Sequence, residues 1–359
     1  MEKYYITTPI YYVNDKPHIG HAYTTILADT ISRFRALIGE KPTFLTGLDE
    51  HGLKVQQAAE KNGKAPQDHC DSMAPAFIDL WKKLNINYSD FIRTTEHRHT
   101  KIVQQILTKV HESGDIYMDE YEGWYSISEE RFITEKELDS GQFGEVKQIK
   151  EKNYFFRMSK YQATLIDKIE KDELLIQPKS RKNEVLGFLK NELSDLCISR
   201  PKSRLEWGIE LPFDDNYVTY VWFDALINYI SAIGAYSNDE HFSSLWPADV
   251  HLIGKDILTT HSVYWPTMLL SLGLPLPQRI FAHGWWLTDD KKMSKSLGNV
   301  VSPLMLIDDF GVDSVRYYLM SEMVLGMDAT FSSESFEKKY NSDLANDFGN
   351  LVSRVSTLI

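Results

Sequence analysis

Two hydrophobic periods alternate along the chain. Across 3–114, short runs of β-branched and aromatic residues give way to stretches with an apolar residue every three or four positions, and the alternation returns across about 216–282. Runs of the first kind suit buried strands and the second kind amphipathic helices, so the order predicts an α/β fold with a parallel sheet. Positions 4–12, Tyr-Tyr-Ile-Thr-Thr-Pro-Ile-Tyr-Tyr, predict the first strand. Asn14-Asp15-Lys16-Pro17 then predicts a turn, and Ala22, Ile26, Leu27, Ile31 and Phe34 mark the inner face of a helix. About 100 residues interrupt this alternation, with strand-like segments at 121–127, 131–134 and 153–158 followed by helical ones. From Ser335 the pattern becomes one long helix whose stripe of Leu344, Phe348, Leu351, Val352, Val355 and Ile359 stops without a cap. Such a stripe needs a partner.

The predicted strand–turn–helix start carries His18-Ile19-Gly20-His21. A helix N-terminus offers unpaired N–H groups and the positive end of a dipole to phosphate oxygens. Gly20 allows close approach of a nucleotide to the backbone. Histidines at i and i+3 share a helical face and can both donate. By residue type alone they also fit an ordinary helix surface. No Gly-x-x-x-x-Gly-Lys-Ser/Thr loop is present, which excludes a P-loop. Far downstream, Lys292-Met293-Ser294-Lys295-Ser296 follows Asp289-Asp290 and Lys291 and precedes Gly298-Asn299. This reads as a mobile basic loop able to close on phosphates, or as a solvated surface loop. The two motifs in this order favour a triphosphate site.

Composition narrows the classes. A chain of 359 residues can bury a large core, and length alone predicts two or three domains. Two distant cysteines, Cys70 and Cys197, exclude a disulfide scaffold. With no signal peptide and no apolar run long enough to span a bilayer, a cytoplasmic protein is expected. Net charge is −12, yet 150–204 holds 13 Lys/Arg against 8 Asp/Glu, so that stretch is +5 and the remainder −17. It is either a local surface for nucleic-acid phosphates or a solvated helical face.

The paired motifs resemble the two signatures of class I aminoacyl-tRNA synthetases. Thr7-Thr8-Pro9-Ile10-Tyr11-Tyr12, Leu45-Thr46-Gly47-Leu48-Asp49-Glu50-His51-Gly52, Tyr220-Val221-Trp222-Phe223-Asp224-Ala225 and Gly254-Lys255-Asp256-Ile257 are similar to the methionyl-tRNA synthetase family, over nearly the whole chain. The resemblance implies a Rossmann-like catalytic domain (1–114 and 216–285) split by a connective-peptide insert (115–215). A KMSKS and stem-contact region (286–338) and the start of an anticodon-binding helical bundle (339–359), most of it beyond residue 359, would follow. It implies activation of methionine by ATP with Mg²⁺ and transfer to tRNA, by a monomer. The larger editing inserts of the isoleucine, leucine and valine enzymes are absent, and two distant cysteines cannot build the zinc pocket of the cysteine enzyme.

By resemblance, His18, His21, Lys292 and Lys295 are catalytic, and Gly20, Gly254, Asp256 and the backbone near Trp286 join His18, His21 and Lys295 in binding ATP. The methionine positions fall on Ile10, Tyr12, Asp49, Trp222, Ala225, Tyr229, Ile257 and His261. Their chemistry fits: Asp49 for the α-ammonium, Tyr12, Trp222 and Ile257 as apolar walls, Tyr229 and His261 aimed at sulfur. Trp222, Ala225 and Tyr229 at i, i+3 and i+7 share a helical face. Trp222 and Tyr229 would equally suit a core, and Thr260 stands where the family can carry an aromatic. Arg200 is expected to pair with Asp49. Asn350 and Arg354 match anticodon-contacting positions. Many relatives carry a zinc knuckle in the insert; here Ser126 and Glu129 occupy the first ligand positions and 141–144 offers no second pair, so no structural zinc is expected.

Overall fold

The computed structural model describes residues 2–126, 131–133, 138–139, 145–288, 291–292 and 301–359. In chain order, β1 (Lys3–Tyr12) leads to helix α1 (Ile19–Leu37), β2 (Lys41–Asp49), helices α2 (Leu53–Lys61) and α3 (Pro66–Lys83), β3 (Asp90–Arg93) and helix α4 (His97–Glu112). The next strands, β4 (Ile116–Ser126), β5 (Arg131–Ile133), β6 (Val146–Phe156) and β8 (Leu196–Cys197), make an antiparallel sheet in the order β5-β4-β6-β8. Between β6 and β8 comes β7 (Leu175–Gln177), which leaves that sheet and pairs in parallel with β13 (Arg279–His283). Thus one strand from 115–215 belongs to the main sheet, a placement its three residues give no pattern to reveal.

The main sheet is parallel with the order β3-β2-β1-β12-β13-β7, where β12 is Val250–Gly254. Its pleat sends alternate side chains to opposite faces. Tyr5 joins one core with α4 and the Trp265–Leu272 helix, while Tyr4 and Ile6 join the other with α1 and α3. Covered faces on both sides are what a parallel sheet requires. On α1, Ala22, Ile26 and Leu27 are buried as expected, whereas Phe34 is 56% exposed.

Strand order reverses at β1, between β2 and β12, and the carboxyl ends of strands diverge at such a point. Pairing of β1 with β12 stops at Thr7, and the register with β2 slips between Thr7 and Ile10. Pro9 lies inside the slip; it has no N–H for a ladder, and an irregularity there re-aims the side chains that follow. The end of β1 therefore leaves its neighbour and opens a crevice.

Lys291–Lys292 forms a two-residue strand, β15, against β14 (Trp286–Thr288), and β14 pairs with β16 (Ala329–Phe331). That start of the predicted basic loop is strand rather than loop. The terminal helix begins at Ser333, passes through a π-helical stretch at Tyr340–Phe348 and ends as Gly349–Leu358. Phe348, Leu351, Val352, Val355 and Ile359 are exposed. No helix among the described residues is long and apolar enough to cross a membrane.

Candidate active site

A cavity of about 430 Å³ fills the crevice. Its walls come from the end of β1 (Pro9 to Tyr12), the start of α1 (His18, Gly20, His21, Thr24), Asp49 at the end of β2, Gly254 at the end of β12, and Asp256 and Ile257 just beyond it. The Val221–Leu226 and Asn228–Ser231 helices add Trp222, Ala225 and Tyr229, and the segment after β13 adds Trp286. All eight predicted methionine positions line this one space, as do His18, Gly20, His21, Gly254, Asp256 and Trp286. Trp222, Ala225 and Tyr229 do so from two short helices rather than one continuous face.

His18 is the N-cap of α1, one residue before the helix rather than within it. Its Nδ1 accepts from the Gly20 N–H at 3.0 Å, and His21 Nδ1 accepts from the His18 N–H at 3.1 Å. This reciprocal capping box satisfies helix-end donors with two imidazoles. Each ring that accepts at Nδ1 carries its proton on Nε2. The rings stack with centroids 3.9 Å apart, so both offer an Nε2–H donor from one place. Burial and the neighbouring His18 push the His21 pKa well below its usual value, keeping that ring neutral. Gly20 has a second reason to be glycine: a Cβ there would sit 2.9 Å from His18 Cε1 and push the ring off its cap.

The opposite end is apolar with a closed polar pair. His261 Nδ1 donates to the Ile257 carbonyl at 2.9 Å, which leaves Nε2 to accept from the Tyr229 hydroxyl at 2.7 Å. The hydroxyl hydrogen and the ring nitrogen are therefore engaged with each other, which makes the pair one fixed dipole with the tyrosine oxygen as acceptor. Tyr229 packs 4.3 Å from the buried His251 ring. His251 accepts at Nε2 from Trp265 Nε1 at 3.2 Å and donates from Nδ1 to Thr7 Oγ1 at 2.7 Å. His251 was missed in the sequence; its signal was a polar residue in the apolar strand Val-His-Leu-Ile-Gly. His283 was missed too, and bonds Thr24 Oγ1 through Nε2 at 2.7 Å and the Gly284 carbonyl through Nδ1.

A family model described as tRNA synthetases class I (M) matches residues 4–142 and 140–356. The chain belongs to the class I (M) tRNA synthetases. It is 52% identical over 362 residues to a methionine–tRNA ligase of Clostridium tetani and 53% identical over 364 residues to one of Clostridium acetobutylicum. These alignments cover 99% and 100% of the chain but 56% of each relative, so the chain spans just over half their length. A solved Mycobacterium tuberculosis methionyl-tRNA synthetase in complex with methionyl-adenylate superposes with a TM-score of 0.95 at 43% identity, covering 99% of this chain and 71% of that one. The doubly wound parallel sheet is thus the catalytic fold of the family.

Arg200 lies outside the cavity. Its guanidinium donates to the Ser199 carbonyl at 2.7 Å and to Cys197 Sγ, and lies over the rings of Tyr220 (4.5 Å) and Tyr125 (5.4 Å). Two tyrosine faces thus hold the guanidinium. Asp256 accepts at Oδ1 from Trp285 Nε1 at 3.2 Å, and Trp285 is held by Asp328 through its backbone N–H and by Lys255 over its ring. The Trp286 ring packs against Tyr23 and Tyr318. Asn350 and Arg354 are exposed on the last helix. Most cations of 150–204 are paired, among them Lys160 with Asp115, Lys182 with Asp172 and Arg204 with Glu151, which blunts that stretch as a basic face. Lys295, Glu129 and 141–144 lie outside the described residues, as does the Lys292 side chain.

The His261 network sets a pH dependence. Burial lowers its pKa from 6.5 to about 4. Between those values the unfolded chain binds a proton there that the folded chain excludes. The stabilisation is complete above pH 6.5 and is lost as pH falls toward 4. Burial lowers His251 and His283 as well, so their losses add to it. His261→Leu is expected to flatten the fall in melting temperature over this window. A slope equal to that of the unsubstituted protein contradicts the neutral assignment.

Proposed function

We propose that this chain activates methionine with ATP, forming methionyl-adenylate and pyrophosphate, and passes the methionyl group to the 3′-terminal adenosine of tRNA. One observation carries the reading: a single cavity joins a carboxylate and aromatic walls at one end to two Nε2–H donors at the other. The similar Mycobacterium tuberculosis methionyl-tRNA synthetase is in complex with methionyl-adenylate, which supports it.

Asp49 receives the α-ammonium. Ile10, Tyr12, Trp222, Ala225 and Ile257 enclose the thioether chain, and the Tyr229–His261 pair faces its sulfur. The substrate's own carboxylate oxygen attacks the α-phosphorus; that P–O bond forms as the bond to the bridging oxygen breaks. Pyrophosphate then leaves with the Mg²⁺ that arrived on ATP. No protein nucleophile is needed, so catalysis rests on orientation and charge stabilisation. His18 and His21 donate to the phosphates, with Lys292 and Lys295 on the β/γ-phosphates. Gly254 and Asp256 take the ribose, and the backbone at Trp286 faces adenine. Arg200 supports the pocket from behind, through Tyr220 at the foot of the Val221–Leu226 helix. Asn350 and Arg354 belong to the anticodon side, and the basic excess in 150–204 to the acceptor side. The reading includes the five-part division made from the sequence, a monomer and a cytoplasmic location.

Amino-acid-dependent exchange between ATP and pyrophosphate tests it without tRNA. Exchange is expected with methionine and not with leucine, isoleucine, valine or cysteine; exchange with another of these, or with none, defeats the reading. The insert is proposed to hold no structural zinc, because Ser126 and Glu129 stand at the first ligand positions and 141–144 offers no second pair. One zinc per purified chain by metal analysis would overturn this.

A further inference from the structure

Asp224 is fully buried and lies off the cavity wall, yet both of its oxygens are engaged. Its Oδ2 lies 2.6 Å from His51 Nδ1 and its Oδ1 2.7 Å from His99 Nε2. Burial pushes the carboxyl up, but the two histidines outweigh that and hold it below the usual carboxylate range. An ionised carboxylate accepts only, so each histidine donates. Three elements converge on the group. His51 follows Asp49 by two residues at the end of β2, and His99 lies in the first turn of α4. Asp224 sits between Trp222 and Ala225 on the Val221–Leu226 helix. A fourth joins through His99 Nδ1, which meets Ser231 Oγ at 2.7 Å on the helix that carries Tyr229.

The geometry points to Asp224 as a positioning residue for the amino-acid end of the cavity: through His51 and His99 it fixes the helix bearing Trp222 and Ala225 relative to the strand end bearing Asp49. This rests on the methionine reading above. A buried carboxylate needs its hydrogen-bond partners, so the helix cannot slide from the strand end without leaving a charge unsatisfied. No group of this cluster is used by the adenylation chemistry. The inference therefore concerns pocket width, which sets methionine affinity, and leaves the phosphate end unaffected.

Four proteins test it: the unsubstituted chain, Asp224→Asn, His99→Leu and His99→Gln. Methionine Kd by calorimetry and the KM for ATP in exchange are measured on each, with melting curves to confirm folding. Asp224→Asn keeps the shape but loses one accepting oxygen. It is expected to weaken methionine binding about tenfold or more, as for a small misplacement of positioning groups, with ATP KM little changed. His99→Leu should follow it, and His99→Gln, whose amide nitrogen replaces Nε2, should restore most of the lost affinity. Loss of stability alone would reduce the active fraction without moving Kd. An unchanged methionine Kd in both Asp224→Asn and His99→Leu overturns the proposal while leaving the functional reading intact. If Asp224→Asn does not fold, the two His99 variants decide by the same measure. An unsubstituted chain that binds no methionine overturns the functional reading, and the role of Asp224 with it.

Discussion

Asp49→Ala is expected to abolish methionine-dependent exchange between ATP and pyrophosphate. Asp49 ends β2, is 7% exposed and lines the cavity beside Tyr12 and Trp222. Its carboxylate is the group there suited to an α-ammonium. Alanine would leave that cation in a largely dry pocket without a counter-charge. Removing one partner of a buried charge pair costs about 3–5 kcal/mol, roughly two to nearly four orders of magnitude in kcat/KM. Asp49→Asn should fall between, because it keeps a hydrogen-bond acceptor and loses the charge. Steady-state exchange over a range of methionine concentrations reads both variants. Near-normal kcat/KM in Asp49→Ala would remove Asp49 from its role.

The second large effect separates capping from catalysis at His18. His18→Asn is expected to lower exchange kcat by about 10²–10³, the usual cost of losing one donor to a charge-stabilising site. Its melting temperature should hold or rise. Asparagine is a preferred N-cap whose side-chain oxygen can take the Gly20 N–H that His18 Nδ1 takes now. What it lacks is any group at the place of Nε2–H. The expected signature is lost turnover with intact stability. A fall in both would reduce His18 to a cap, and a normal kcat would remove it from the phosphate site.

The strands and helices that hold the site were legible because each carries its own period. β1 and α1 fall where the aromatic run and the three-to-four spacing place them, and Pro9 marks the slip that opens the crevice. Phe34 misled because periodicity marks a helix face and not which of its positions the fold covers. Asp49, Trp222 and Ile257 were legible only through the resemblance, since by type each could equally be a core or loop residue. The rings of Tyr125 and Tyr220 under the Arg200 guanidinium were not legible, because three separate segments bring them together.

The sequence by itself determined the α/β class, the strand–helix unit with two imidazoles at its junction, and membership of a family. These depend on local pattern and residue order, which a linear text carries in full. Only the tertiary structure decided which nitrogen of each histidine bears the proton. His18 and His21 bond backbone N–H groups of the capping turn, but His261 and His251 answer to Tyr229, Trp265 and Thr7. It also decided that β7 joins the main sheet and that His51, His99 and Asp224 meet. Asp224 lies 173 residues from His51 and 125 from His99. Contacts at such separations arise when strands and helices pack, and a pattern confined to one segment holds no trace of them.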